Sequence, residues 1–251
     1  MKIALLIPST SHKRNWKDYK ESYLYTETLK SFLLTYDKEH SYVFYIGIDR
    51  NDRIYDNEET QKELKRFCSV MKNTEIIFDY MDNIAKGHLT IMWNKLFSQA
   101  YLDKCDYFFQ CGDDIQFKTK GWVNSCINCL TKSNNIGLTG PLNNNSKILT
   151  QSFVSRKHMD IFGYYFPEEI INWFCDDWIN IVYKKMNKYY PLKEHLCINI
   201  GGEPRYEVNN DTFKDNSDFN MKFMQLQKEC NKIANKDLKR TRDTFIKLLI
   251  Q

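Results

Sequence analysis

Four short apolar runs, separated by stretches of helical spacing, constrain this chain more than any other feature. Lys2–Ile7 (KIALLI), Tyr42–Ile48 (YVFYIGI), Thr74–Tyr80 (TEIIFDY) and Asp106–Cys111 (DYFFQC) read as strands. The first is almost wholly apolar, as expected of a strand covered on both faces. Between them, Tyr19–Tyr36, Glu58–Met71 and Ile84–Tyr101 repeat apolar residues at helical intervals, and Leu89, Met92, Trp93, Leu96 and Phe97 form one stripe. This alternation predicts an α/β fold with a parallel sheet and right-handed crossovers.

After residue 115 the pattern changes. Trp122–Thr131 and Asp176–Met186 read as helices, and Ile136–Thr139, Leu149–Val154 and Cys197–Ile200 as short strands. Phe219–Leu249 reads as one or two amphipathic helices. At 251 residues the chain has room for one large domain. The expected division is a domain over 1–215, with halves 1–115 and 116–215, and a helical tail over 216–251. The net charge of +4 (36 basic, 32 acidic) belongs to that tail. Residues 217–251 hold eight basic and four acidic side chains, which leaves 28 of each in residues 1–216. A neutral body has no basic field for nucleic acid. The basic tail has three open placements: packed on the body, in an oligomer interface, or against an anionic membrane surface.

The eight cysteines show no paired framework. Cys126 and Cys129 form a C-x-x-C, but no second pair or His pair completes a tetrahedral zinc site. They read as buried free thiols of a reducing compartment. No apolar run is long enough for a signal-peptide core or a membrane span. The expectation is a cytoplasmic protein with unused sequons at Asn144 and Asn210.

Ligands of open α/β sheets bind at the carboxyl ends of the strands. After strand one come Pro8, Ser9 and Thr10, then His12, Lys13 and Arg14; after strand two, Asp49; after strand three, Asp82, Lys86, Gly87 and His88. Strand four is followed by Gly112-Asp113-Asp114. Neither GxxxxGK[ST] nor GxGxxG occurs, so a P-loop NTPase and a dinucleotide-dependent dehydrogenase are disfavoured. Two adjacent carboxylates at the end of a buried strand are costly without a cation. Their hard oxygens suit Mg²⁺ or Mn²⁺; a plain turn cap is the simpler use. A second pair, Asp176-Asp177, opens a helix, where acidic residues also serve as caps.

Taken together, four βα units, a carboxylate pair after strand four and a second pair about 60 residues later resemble the GT-A glycosyltransferases. The resemblance covers Met1–Arg205 and is greatest to the inverting, family-2-like enzymes, including those encoded by large DNA viruses. It implies one GT-A domain, with a mostly parallel sheet flanked by helices and a C-terminal helical extension. It also implies metal-dependent, inverting transfer from a nucleoside-diphosphate sugar to a hydroxyl of a glycan or glycoprotein. The donor would be a UDP-sugar foremost, with GDP and dTDP open.

By the same resemblance, Pro8, Ser9, Thr10, Arg14 and Asp49 hold the nucleotide, and Lys86 and His88 face phosphate or sugar. Asp113 and Asp114 stand where the family has Asp-x-Asp, on Mn²⁺ or Mg²⁺ and the diphosphate; neither frame is a strict Asp-x-Asp. Asp177 is the base, and its neighbour Asp176 replaces the usual Glu. His195 is a candidate third metal ligand. Arg205, in the segment Ile200–Tyr206 read as a mobile lid, would cover the diphosphate. Trp122, Phe153, Tyr164, Tyr165, Phe166 and Trp173 offer aromatic wall for a sugar. Two other functions share these features. A sugar-activating nucleotidyltransferase usually has a glycine-rich loop after strand one, which Ser9–Arg14 lacks. A non-catalytic module would keep the fold without the base.

Overall fold

The computed structural model describes residues 1–145, 147–202, 205 and 219–250. The expected strands are present as β1 (Lys2–Ser9), β2 (Ser41–Ile48), β3 (Thr74–Tyr80) and β4 (Tyr107–Gln110), all parallel. The sheet continues through β7 (Ser152–Ser155), β6 (Leu138–Leu142), β8 (Tyr189–Asn199) and β5 (Ile115–Phe117), in the order β3-β2-β1-β4-β7-β6-β8-β5. β7 runs antiparallel to both its neighbours, and β5 antiparallel to β8.

β1 is apolar throughout because helices cover both its faces. Ile3, Leu5 and Ile7 pack with Phe32, Phe44, Leu64 and Trp122 on one side. Ala4 and Leu6 pack with Phe97, Phe108 and Trp178 on the other. The covering helices are α1 (Lys30–Thr35), α2 (Glu58–Cys68), α3 (Leu89–Leu102), α4 (Trp122–Thr131), α5 (Lys157–Phe162), α6 (Cys175–Lys185) and α7 (Phe219–Ile250). All eight cysteines are free thiols, seven of them buried.

The structure departs from the expectation in four places, each with a local cause. Tyr19–Tyr36 is not one α-helix: a 3₁₀ turn (Tyr19–Glu21) and a π-helical segment (Leu24–Leu29) precede α1. Such wider turns often mark functional positions, and here the π segment carries Thr28, which grips β5. α3 begins at Leu89 rather than Ile84, because Asn83 and Gly87 take left-handed backbone angles of 63° and 84°. β5 is only three residues long and α5 only six, too short for a periodic signature. β8 is far longer than Cys197–Ile200. Its ladder with β6 jumps from Pro141–Leu192 to Leu142–Leu196, so Lys193, Glu194 and His195 bulge out of register. That bulge breaks the alternation and lets one strand serve both β6 and β5.

The C-terminal tail lies on the body as α7. Cys230 and Ala234 are buried in the core shared with α5 and α6. The Trp178 indole donates to Asp237 (3.1 Å), and Arg240 donates to the Phe162 carbonyl (3.1 Å). Among the described residues no helix is long and apolar enough to cross a membrane.

Candidate active site

The ends of β1, β2 and β4 border a row of cavities, the first meeting the next where Arg14 bonds the Gly201 carbonyl (3.1 Å) and Arg205 the Thr10 carbonyl (3.4 Å). At its first end is a cavity of about 540 Å³ lined by Thr10, His12, Arg14, Asp49, Arg53 and Lys86, among others. Six residues named from the sequence thus meet there: Thr10, His12, Lys13, Arg14, Asp49 and Lys86. The residue that builds this corner is one the sequence reading missed. Asp52 accepts from Thr10 Oγ1 (3.0 Å), Ser11 N (2.7 Å), Ile54 N (3.0 Å) and Tyr55 N (2.9 Å), and so ties the loop after β1 to the loop after β2. Its only sequence signal is Asp49-Arg50-Asn51-Asp52 just before the apolar pair Ile54-Tyr55. Ser9 is the last residue of β1 and is buried, outside the cavity lining.

The middle of the groove, about 230 Å³, is lined by Pro8, Gly112, Asp114, Gln151, Asn172 and Arg205, among others. Thr28 holds this turn in place. Its hydroxyl donates to the carbonyls of Asp113 (2.8 Å) and Ile115 (3.1 Å) and accepts from Ile115 N (3.1 Å). Asp113 is fully buried, and Arg205 embraces it with both guanidinium nitrogens, Nη1 reaching Oδ2 at 2.6 Å and Nη2 bonding Oδ1. Nη2 also lies 3.5 Å from Asp114 Oδ2. Arg205, expected on a diphosphate, is therefore held first by Asp113. Burial by itself would lower the Arg205 pKa, but Asp113 and Asp114 raise it above the ordinary arginine value.

Burial and the neighbouring Asp113 push the Asp114 carboxyl up to about 6. Its carboxylate fills the space beside Gly112 and Gly201: a Cβ on Gly112 would come within 2.5 Å of Asp114 Oδ1, and one on Gly201 would overlap Asp114 outright. Of the segment read as a lid, Ile200, Gly201, Gly202 and Arg205 belong to this wall. Glu203, Pro204 and Tyr206 lie outside the described residues.

The far end, about 550 Å³, is lined by Asp176, Asp177, Trp173, Phe174, Lys147 and Phe223, among others. Trp93, Gln110, Thr150 and Asn172 line both this cavity and the middle one, so the two are continuous. Asp176 and Asp177 open α6, and Phe174 before them adopts a left-handed φ of 73°. No Lys or Arg pairs with either carboxylate among the described residues. Burial, with Asp177 second, pushes Asp176 up to about 7; burial also raises Asp177.

Two named residues are not brought here. His195 sits in the β8 bulge, its ring bonded to Thr119 Oγ1 (3.2 Å) and Ser125 Oγ (2.8 Å) between β8 and α4. It is thus at the opposite end of β5 from Asp114 and does not join the carboxylate pair. His88 leads into α3 and lies against the Glu168 carbonyl (3.1 Å), outside all three cavities. Of the suggested aromatic wall, only Trp173 reaches the groove. Trp122, Phe153, Tyr165 and Phe166 are core, and Tyr164 packs beside Trp178 and Arg240.

Among the described residues, no group of three or more His, Cys, Asp or Glu is arranged to hold a metal ion. Two hard carboxylates still fit Mg²⁺ or Mn²⁺, which commonly take one or two protein carboxylates and complete their shell with water and substrate phosphate. Here both Asp113 oxygens are already engaged by Arg205.

No protein-family model matches the sequence, and no curated protein matches it. Solved structures do match. Staphylococcus aureus TarS 1-349 in complex with UDP-GlcNAc superposes with a TM-score of 0.53 at 14% identity, covering 82% of this chain and 60% of that one. TarS 1-349 in complex with UDP gives 0.51 at 13% identity, covering 79% and 60%. A further TarS crystal structure gives 0.51 at 12% identity, covering 78% of this chain and 36% of that one. At this identity the likeness shows the fold, which is of the GT-A type: a mixed, mostly parallel sheet flanked by helices, with a C-terminal helix. The chain spans 60% or less of the TarS chains it matches.

Proposed function

We propose that this protein transfers a sugar from a nucleoside-diphosphate sugar, a UDP-sugar foremost, to an acceptor hydroxyl of a glycan or glycoprotein, with inversion at the sugar carbon. The observation that carries this is the groove. The cavities at the Asp113–Asp114 turn and the Asp176–Asp177 helix start are continuous, although the two acidic pairs lie far apart in sequence, and the basic cavity adjoins them where Arg14 bonds the Gly201 carbonyl (3.1 Å) and Arg205 the Thr10 carbonyl (3.4 Å). A GT-A-type fold shared with structures holding UDP and UDP-GlcNAc supports the donor class.

On this reading the cavity around Thr10, Arg14, Asp49 and Lys86 takes the nucleotide. Asp114, with Asp113, would hold Mn²⁺ or Mg²⁺, and such an ion supplies positive charge against the leaving diphosphate. Asp177 accepts the proton of the acceptor hydroxyl as that oxygen bonds to the sugar carbon, while the bond from that carbon to the diphosphate oxygen breaks. Attack opposite the leaving group inverts the centre, with no covalent intermediate. Residues 1–115 then form the nucleotide half and 116–215 the acceptor half, and the tail 216–251 adds to the latter.

The test is UDP release by the full chain from a panel of UDP-sugars with Mn²⁺ or Mg²⁺. Turnover is expected, with Asp114→Asn lowering it and weakening UDP binding. No UDP release, together with unchanged nucleotide affinity in Asp114→Asn, refutes the proposal.

A further inference from the structure

The cavity around Asp176 and Asp177 is built from three remote pieces of chain. Asn145, Lys147, Ile148 and Thr150 form one side, Asn172 to Cys175 the floor, and Phe223 and Gln227 of α7 the other side. The Phe223 ring stands 4.9 Å from Phe174 and 6.4 Å from Trp173. About two turns further along α7, Cys230 Sγ donates to the Phe174 carbonyl (3.5 Å).

Phe174, with a left-handed φ of 73°, is the residue from which the helix start bearing the two carboxylates departs. A bulky residue held there costs of order 1–3 kcal/mol and persists only where its surroundings hold it. α7 supplies part of that hold, through a ring contact and a hydrogen bond to the same residue.

The chemistry of the wall points to one class of occupant. Trp173 and Phe223 offer aromatic faces, while Asn145, Asn172 and Gln227 offer amides. Rings with a few convergent polar groups match a pyranose, which has an apolar C–H face and a rim of hydroxyls. A phosphate-bearing group would meet the two carboxylates Asp176 and Asp177 against Lys147, the single cation among the described lining residues. Resting on the transferase reading above, we infer that α7 completes the acceptor subsite, where Phe223 and Gln227 hold a neutral pyranose ring with one hydroxyl facing Asp177.

The test uses the full chain and methyl glycosides of glucose, galactose and N-acetylglucosamine as probes, read by saturation-transfer NMR, with UDP binding measured beside them. At least one glycoside is expected to bind. Phe223→Ala and Gln227→Ala are expected to weaken it, the former about 5-fold for the loss of one aromatic contact, and Phe223→Tyr to retain it. UDP affinity stays unchanged in all three. Gln227 is exposed, so its variant does not depend on refolding of the core. The inference is overturned if wild type binds UDP but none of the glycosides, or if both alanine variants bind them as wild type does. If wild type binds neither UDP nor any UDP-sugar, the transferase reading itself falls and takes this inference with it.

Discussion

Asp113 and Asp114 end a strand and share a bonded cation, whereas Asp176 and Asp177 open a helix and, among the described residues, have no Lys or Arg within ion-pair distance. In the first pair, a side chain only 11% exposed, Arg205, bonds both oxygens of a carboxylate that is 0% exposed. In the second, burial and the neighbouring Asp177 push Asp176 up to about 7, and Lys184 acts on Asp177 only as a more distant charge. The contrast separates two tasks that carboxylate pairs can perform. A pair bonded to a guanidinium is suited to a cation, because that partner can be exchanged for another, although burial and Asp113 push Asp114 itself up to about 6. An uncompensated pair is poised to take up a proton, because its environment favours the protonated form.

The sharpest way to break the comparison is to neutralise each pair separately. Asp177→Asn is expected to lower turnover by about 10²–10⁴-fold, the usual worth of a positioned base, with UDP affinity unchanged. If nucleotide affinity falls with it, the two pairs are not distinct in function.

Asp113→Asn acts on stability instead. It leaves the Arg205 charge buried without its main partner, a situation that costs about 3–5 kcal/mol. Thermal unfolding should show that loss, and Arg205→Gln in the same chain should restore much of it. Arg205→Gln alone frees both Asp113 oxygens, so Mn²⁺ binding to the nucleotide-free protein, read by electron paramagnetic resonance, should tighten. Unchanged Mn²⁺ affinity would mean that Arg205 and the ion do not compete.

Between these in size comes the pH dependence. An aspartate of ordinary pKa about 3.9 held near 7 in the fold retains its proton after the unfolded chain has lost its own. Stability contributed by Asp176 is therefore present below about pH 4 and is lost as pH rises to about 7. Turnover runs the other way, since the pair must lose protons to act as a base. The stability difference between wild type and Asp176→Asn should shift against wild type over that range, while wild-type activity rises. A difference that does not change with pH would remove the uncompensated character of this pair.

The two halves of the molecule also differ in how far the sequence reveals them. β1, β2 and β4 are buried on both faces, and burial of that kind writes continuous apolar runs that need no partner to be recognised, while the edge strand β3 is only partly buried. α7 was equally legible, through its stripe of Leu226, Cys230, Ile233 and Leu238. The part after β4 depends on devices with no local signature: the β8 bulge at Lys193–His195, the three-residue β5 and the left-handed Phe174. The same limit applied to the site. Asp113, Asp114, Asp176 and Asp177 announce themselves as adjacent carboxylates. Asp52 does not, because its importance lies in four donors that converge on it only in the folded chain. His195 misled because its position near the end of a strand was right in sequence, while the bulge turned it toward Thr119 and Ser125.

Thr28 provides the finest test of the compensated pair, since it touches the Asp113–Ile115 backbone and neither carboxylate. Its hydroxyl serves two carbonyls and one N–H, all buried. Thr28→Val keeps the shape and removes the hydroxyl, leaving those groups without their partner at a cost of about 1–3 kcal/mol. Thr28→Ser keeps the hydroxyl and should retain most of the stability. If the turn is what positions Asp114, the valine variant should also bind UDP and Mn²⁺ more weakly, with Asp176 still titrating near pH 7. A valine variant that loses stability but keeps both affinities would show that the carboxylates are placed by Arg205 and the glycines around Asp114, and that the π-helical segment serves the fold alone.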